Sequence, residues 1–127
     1  MLLARLILAC LATAVPPDLK TVYLDACLAW FPYTASVAAV QWCEGEPECS
    51  ELGVGEGGGY SFTQHIITID RTYPFPEPNG LLLTLEHEYG HALGLEHTSE
   101  GLMKSGWGEP VAQGPGPEDF AALAAHK

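Results

Sequence analysis

The run His87-Glu88-Tyr89-Gly90-His91-Ala92-Leu93-Gly94-Leu95-Glu96-His97 constrains this chain more than any other feature. Its pattern, H-E-x-x-H-x-x-G-x-x-H, supplies three imidazoles, one carboxylate and a glycine at fixed offsets. A helix advances about 100° per residue, so His87 and His91 fall on one face, roughly one turn apart. Both rings can then reach one ion at roughly 2.0–2.1 Å, the usual zinc–nitrogen distance. Glu88 lies about 100° round the same helix, beside the metal, where it can accept a proton from water. His97 could not join that ion from a continuing helix. Gly94 resolves this, because glycine adopts the left-handed conformation that ends a helix and lets the chain bend back. Three protein ligands leave a fourth position open, as in catalytic zinc sites. The spacing therefore predicts one catalytic Zn2+ held by His87, His91 and His97, with Glu88 as general base.

The residues around the string fit a helix over about 80–94. Asn79 follows Pro78 as a candidate N-cap, and Leu81, Leu82, Leu85, Tyr89, Ala92 and Leu93 fall opposite the ligands. Burial of that apolar arc would hold the histidines rigidly. Glu86, Glu96 and Glu100 flank the site, each either a solvated carboxylate or an acceptor that orients an imidazole.

The string resembles that of the metzincin clan of zinc peptidases, which place a methionine-containing turn beneath the metal. Here Gly101-Leu102-Met103 follows His97 closely, and Met103 is one of only two methionines. Thr98 directly after His97 resembles the matrixin subgroup. Gly116-Pro117-Glu118-Asp119-Phe120 reads as a helix start, with Pro117 at the first helical position and acids near the positive end of the dipole. Matrixins close their catalytic domain with a similar helix. The resemblance covers residues 79–103 and 116–125. It implies that Met103 shapes the floor under the metal and that an extended substrate pairs with a strand edge above it. The chain departs from the pattern after the methionine, with Lys104-Ser105-Gly106-Trp107 where matrixins commonly have Tyr-Pro. A Met-x-Tyr ligand, a cysteine-switch propeptide and the His/Asp pattern of a second zinc are not seen. His65 is isolated and reads as a solvent-facing or hydrogen-bonded strand histidine. A single Glu in the glycine-rich stretch 53–59 is too little for calcium, so neither calcium nor a second zinc is expected.

A length of 127 residues implies one domain with a single modest core. The net charge of −11, with only five Lys and Arg, argues against nucleic acid and anionic membranes and mildly favours cationic substrates. Residues 1–14 read as a signal segment: Arg5 precedes a short apolar run, and Ala12-Thr13-Ala14 resembles a cleavage site. The run is too short for a transmembrane helix. Ile7-Leu8-Ala9-Cys10 loosely resembles a lipoprotein box, which makes a lipid anchor through Cys10 the alternative. A third reading places these apolar residues in a first strand. Cys43 and Cys49 enclose a polar, turn-rich segment suited to a small disulfide loop. Cys27 is then unpaired and buried, or else it bridges to Cys43 or Cys49.

Elsewhere, residues 21–28 have the β-branched and aromatic content of a first strand. Residues 32–42 suit a short helix with Trp42 in the core, and 53–59 a flexible loop. Residues 60–70 alternate as a strand, of which 61–70 would be the edge that takes a peptide substrate as an added strand. A proline-rich connector spans 73–78, and a last helix about 117–126. The expected fold is α+β, a single metzincin-like domain over residues 15–127 with a small twisted mixed sheet. The expected activity is that of a secreted or extracytoplasmic, monomeric zinc endopeptidase that cleaves a peptide or protein substrate with metal-activated water. Two alternatives stay open: a zinc-binding module without proteolysis, and a metal-dependent hydrolase of a non-peptide amide or ester.

Overall fold

A computed structural model describes residues 2–52, 56–98, 101–104 and 114–125. In chain order the elements are α1 (Leu2–Ala12), a 3-10 turn (Pro17–Leu19), α2 (Lys20–Ala29), β1 (Ala39–Cys43), β2 (Gly58–Ser61), β3 (Ile66–Asp70), α3 (Gly80–Ala92) and α4 (Pro117–Ala125). The sheet runs β1-β3-β2, with β1 parallel and β2 antiparallel to β3. This is the small mixed sheet of an α+β domain, as expected. Ile67 and Ile69 are fully buried and Thr68 nearly so, because a central strand of a covered sheet has no solvent face.

That order corrects the reading of residues 60–70 as one strand. They form a hairpin, closed where the His65 N–H donates to the Ser61 carbonyl at 2.8 Å and His65 takes a left-handed φ of 58°. His65 is therefore a turn residue, and its Nδ1 lies 2.7 Å from the Tyr60 hydroxyl. The consequence for residues 61–70 is larger. Ile66–Asp70 has a neighbour on each side and cannot accept an added strand; β1 and β2 are the outer strands, and of the two it is β2 that packs on α3. Gly58 and Gly59, expected in a flexible loop, belong to that strand. A Cβ on Gly58 would sit 2.8 Å from Thr84 Cγ2, so glycine lets β2 lie directly against α3.

Two further expectations are overturned. Residues 21–28 lie in α2, not in a strand. Leu19, Tyr23, Ala26, Cys27 and Trp30 are all buried, and their spacing is the 3.6-residue period of a helix. Local Thr-Val-Tyr content favours a strand, but a face that packs on α3 outweighs it. Residues 32–42 are not a helix either: they are irregular up to Ala39, and the stretch then pairs with β3 as β1. Trp42 does pack against the core, half-buried, with Nε1 donating to Asp18 and Arg71 over its ring at 4.8 Å, while Trp30 is the fully buried tryptophan among the described residues.

Cys43 is bonded to Cys49 as expected, while Cys27, expected either unpaired or bridged to Cys43 or Cys49, is bonded to Cys10. Residues 2–14 accordingly pack on the domain: α1 meets α2, and the Val40 N–H donates to the Ala14 carbonyl at 2.8 Å. Among the described residues, no helix is long and apolar enough to cross a membrane.

Tyr89 links this framework to α3. It is buried, its hydroxyl accepts from the Ala35 N–H at 2.9 Å, and it lies 3.3 Å from Cys27 Sγ. A disulfide sulfur carries no proton, so Tyr89 is the donor in the second contact. Tyr89→Phe should strand the Ala35 N–H and cost about 1–2 kcal/mol, read as a lower urea midpoint at unchanged m-value.

Candidate metal centre

The helix that carries the first two histidines starts at Gly80, with Asn79 in the N-cap position but making no side-chain cap bond. Leu85 and Tyr89 are fully buried, and Leu81, Leu82, Ala92 and Leu93 pack against the same core. The apolar arc inferred from spacing therefore does anchor α3. The helix ends in a Schellman motif: the Gly94 N–H donates to the His91 carbonyl at 2.9 Å and the Leu95 N–H to the Gly90 carbonyl at 3.0 Å. Gly94 has φ 105°, and a Cβ there would meet nothing within 4 Å. Its requirement is conformational, not steric, as the turn toward His97 demands.

The ligand atoms of His87, His91 and His97 lie within 4.8 Å of one another, a cluster that could hold a metal ion. The three ring centroids are 4.8–5.3 Å apart. Orientation of the helix pair comes from the backbone. His87 Nδ1 lies 2.7 Å from the Leu102 carbonyl and His91 Nδ1 2.8 Å from the Leu95 carbonyl. A carbonyl only accepts, so each Nδ1 carries the proton and each Nε2 presents a lone pair. Those two Nε2 atoms face each other at 3.2 Å. Two lone pairs at that distance repel unless a cation lies between them. Nitrogens each 2.0–2.1 Å from a tetrahedral ion would be about 3.3 Å apart, so the pair fits one metal. Burial lowers the His87 pKa to about 4, opposed by the Leu102 contact and helped by its neighbouring histidines. Burial likewise lowers that of His91. Both are therefore neutral, the form that ligates, at ordinary pH.

Leu95 and Leu102 were not visible as functional residues in the sequence, since their contribution is a carbonyl. The available signal was indirect: Leu95 is the apolar residue that follows a helix-ending glycine, and such residues fold back onto the helix. Glu96 is exposed and Glu100 lies outside the described residues. Among the described residues, neither Glu86 nor Glu96 bonds to an imidazole; the carbonyls take that part.

Glu88 is buried beside the cluster, and burial pushes its carboxyl up to about 8, with the Glu56 carboxylate adding to the effect. A nearby dication would draw it back down. Met103 is fully buried beneath α3, on a turn in which the Thr98 N–H donates to its carbonyl and Gly101 has φ 82°. A Cβ on Gly90 would sit 2.5 Å from Met103 Sδ and 2.9 Å from Trp30 Cζ2. A glycine inside a helix is the sequence signal for such a close approach. A second group, Cys43, Cys49 and Asp70, also converges, but both cysteines are tied up in their disulfide. His65 stands apart from the three ligands in the hairpin turn.

No protein-family model matches the chain, and comparison with curated proteins returned no match. Function has to be argued from the site itself.

Gly90→Ala should add about 1 kcal/mol of helix propensity yet lose about 1–3 kcal/mol to the clash with Met103 and Trp30. The expected result is a net fall in the urea midpoint. Glu86 gives a pH-dependent prediction. It is 5% exposed, its Oε1 has no partner among the described residues, and burial with help from Asp25 raises its carboxyl to about 7. The unfolded chain ionises this group near its ordinary value, while the folded chain keeps the proton to about 7. The associated stability is therefore full at low pH and lost as pH rises through that window. Glu86→Gln should leave the Tm of the metal-free protein nearly unchanged at about pH 4 and raise it at about pH 8.

Proposed function

We propose that this chain is a zinc-dependent endopeptidase related to the matrixin-like metzincins. The observation that carries the reading is the approach of the His87 and His91 Nε2 lone pairs to 3.2 Å, with His97 beside them and Glu88 on the next position of the helix. The order of parts also agrees with the resemblance: α3, the Gly94 turn, Met103 packed below, and α4 opening at Pro117 with Asp119 Oδ2 accepting from the Gly116 N–H at 2.8 Å. An all-imidazole donor set suits zinc, among other transition metals.

Zinc held by His87, His91 and His97 would supply a Lewis acid that polarises a carbonyl and makes water acidic near neutral pH. The other tasks fall to the chain. Glu88 takes the proton of the attacking water and hands it to the departing amine nitrogen, which needs a carboxyl able to hold a proton near neutral pH. Burial raises the Glu88 carboxyl in the metal-free chain, and a bound dication would draw it back down toward the range in which it can accept and return a proton. Leu95 and Leu102 keep the two imidazoles in the ligating tautomer throughout. Of the two outer strands, β2 is the one that packs on the ligand helix α3, so it is the edge on which an extended peptide would add, in place of residues 61–70 as a whole. Two disulfides favour an oxidising, extracytoplasmic setting.

Glu88→Ala should keep one zinc per chain by elemental analysis and lose roughly 10²–10⁴-fold in peptide hydrolysis. Undiminished casein cleavage by that variant would sink the mechanism. Zinc binding without turnover of any peptide by the wild-type protein would leave a binding module. Turnover of small amides or esters alone would point to the non-peptide hydrolase.

A further inference from the structure

We propose that Phe62 is the specificity-determining residue of this site, a fixed aromatic wall for an apolar and preferably aromatic side chain beside the cleaved bond. The inference rests on the peptidase reading and names the class of peptide that the site takes.

Phe62 directly follows β2 and is 63% exposed. The other large apolar side chains exposed among the described residues, Leu8, Leu11 and Phe31, belong to α1 and to the turn after α2. Phe62 makes an aromatic contact with the histidine cluster. Its ring centroid lies 6.1 Å from that of His91 at an interplanar angle of 67°, and 5.2 Å from that of Tyr60 at 81°. Both are edge-type aromatic contacts, which orient a ring without covering it.

The wall is held from behind. Tyr60 is anchored by its 2.7 Å hydrogen bond to His65, and the turn is closed by the bond from the His65 N–H to Ser61 and by the Gln64 N–H donating to Ser61 Oγ. Phe62 thus projects from a turn whose backbone is fixed at both ends. A ring this exposed adds little to the core, because apolar burial is what stabilises and most of its surface stays wet. The same surface is what a ligand side chain would cover.

Position supplies the rest. A peptide added along the outer edge of β2 and passing the histidines must pass the ring that bridges them. The residues that share the turn, Thr63, Gln64 and His65, carry no carboxylate or ammonium. The turn itself therefore offers apolar and aromatic contact, while the carboxylate nearest the histidines in electrostatic effect is Glu56, outside the turn.

The test is binding, separate from turnover. The zinc-loaded Glu88→Ala protein would be titrated with fluorescent peptides of one glycine-rich host, each with a single Phe, Leu or Ala scanned through it. At the best position the Phe peptide should bind about tenfold more tightly than the Ala peptide. Adding Phe62→Ser should bring that ratio close to one, whereas Phe62→Leu should keep part of the preference for Leu and Phe. An unchanged Phe-to-Ala ratio in Phe62→Ser overturns the proposal. So does an equal loss for all peptides together with a lower zinc affinity, because Phe62 would then only support His91. Turnover of the same peptides by protein with Glu88 intact separates the two claims. Phe62-dependent binding with no cleavage keeps the wall and removes the peptidase; cleavage with no Phe62-dependent preference does the reverse.

Discussion

Two histidine nitrogens that can only accept are held 3.2 Å apart in the interior face of one helix, and the remainder of the site is arranged around that repulsion. Each Nδ1 is committed to a backbone carbonyl, so neither ring can flip its tautomer to relieve the contact without losing a hydrogen bond in a mostly buried place. A metal-free protein bears this cost; a bound cation removes it and turns it into affinity. Preorganisation of this kind depends on the chain past the helix, since both carbonyls come from residues after Gly94.

The packing of α3 shows how that rigidity is built. Its Tyr89 face is tied to Ala35 and to the Cys10–Cys27 disulfide, its Gly90 face receives Met103 and Trp30, and its Thr84 lies against Gly58 of β2. These three contacts come from parts of the chain far apart in sequence. The ligand helix is clamped by α2, by the methionine turn and by β2 at once. That clamp also explains why Glu86 ends up buried with an oxygen unpaired among the described residues. It sits on the helix one position before a ligand, so its direction is dictated by the register that serves His87 and His91.

Reading the chain alone recovered α3, its apolar arc, the left-handed Gly94, the start of α4 at Pro117 and the Cys43–Cys49 pair. All of these depend on residues within a few positions of one another, where helical period, cap chemistry and short loop closure act. Residues 21–28 were misread because β-branched neighbours speak for a strand locally, while the buried series from Leu19 to Trp30 declares its period only against a partner. Residues 60–70 were misread for a related reason. Alternation identifies extended chain, but it does not locate the four-residue turn that makes a hairpin of it.

By itself, the sequence determined the donor set and its spacing, because ligand type and helical offset are covalent facts. It also determined that the helix must stop at Gly94, because only glycine takes that φ freely. Tertiary structure alone decided which strands lie at the edges of the sheet, which cysteine joins Cys27, and which carbonyls fix the imidazoles. Those depend on pairing between distant segments, and a backbone carbonyl has no residue type by which a sequence could announce it. The same holds for Phe62: the letter is an ordinary aromatic, and its place against His91 exists only once β2 has been laid along α3.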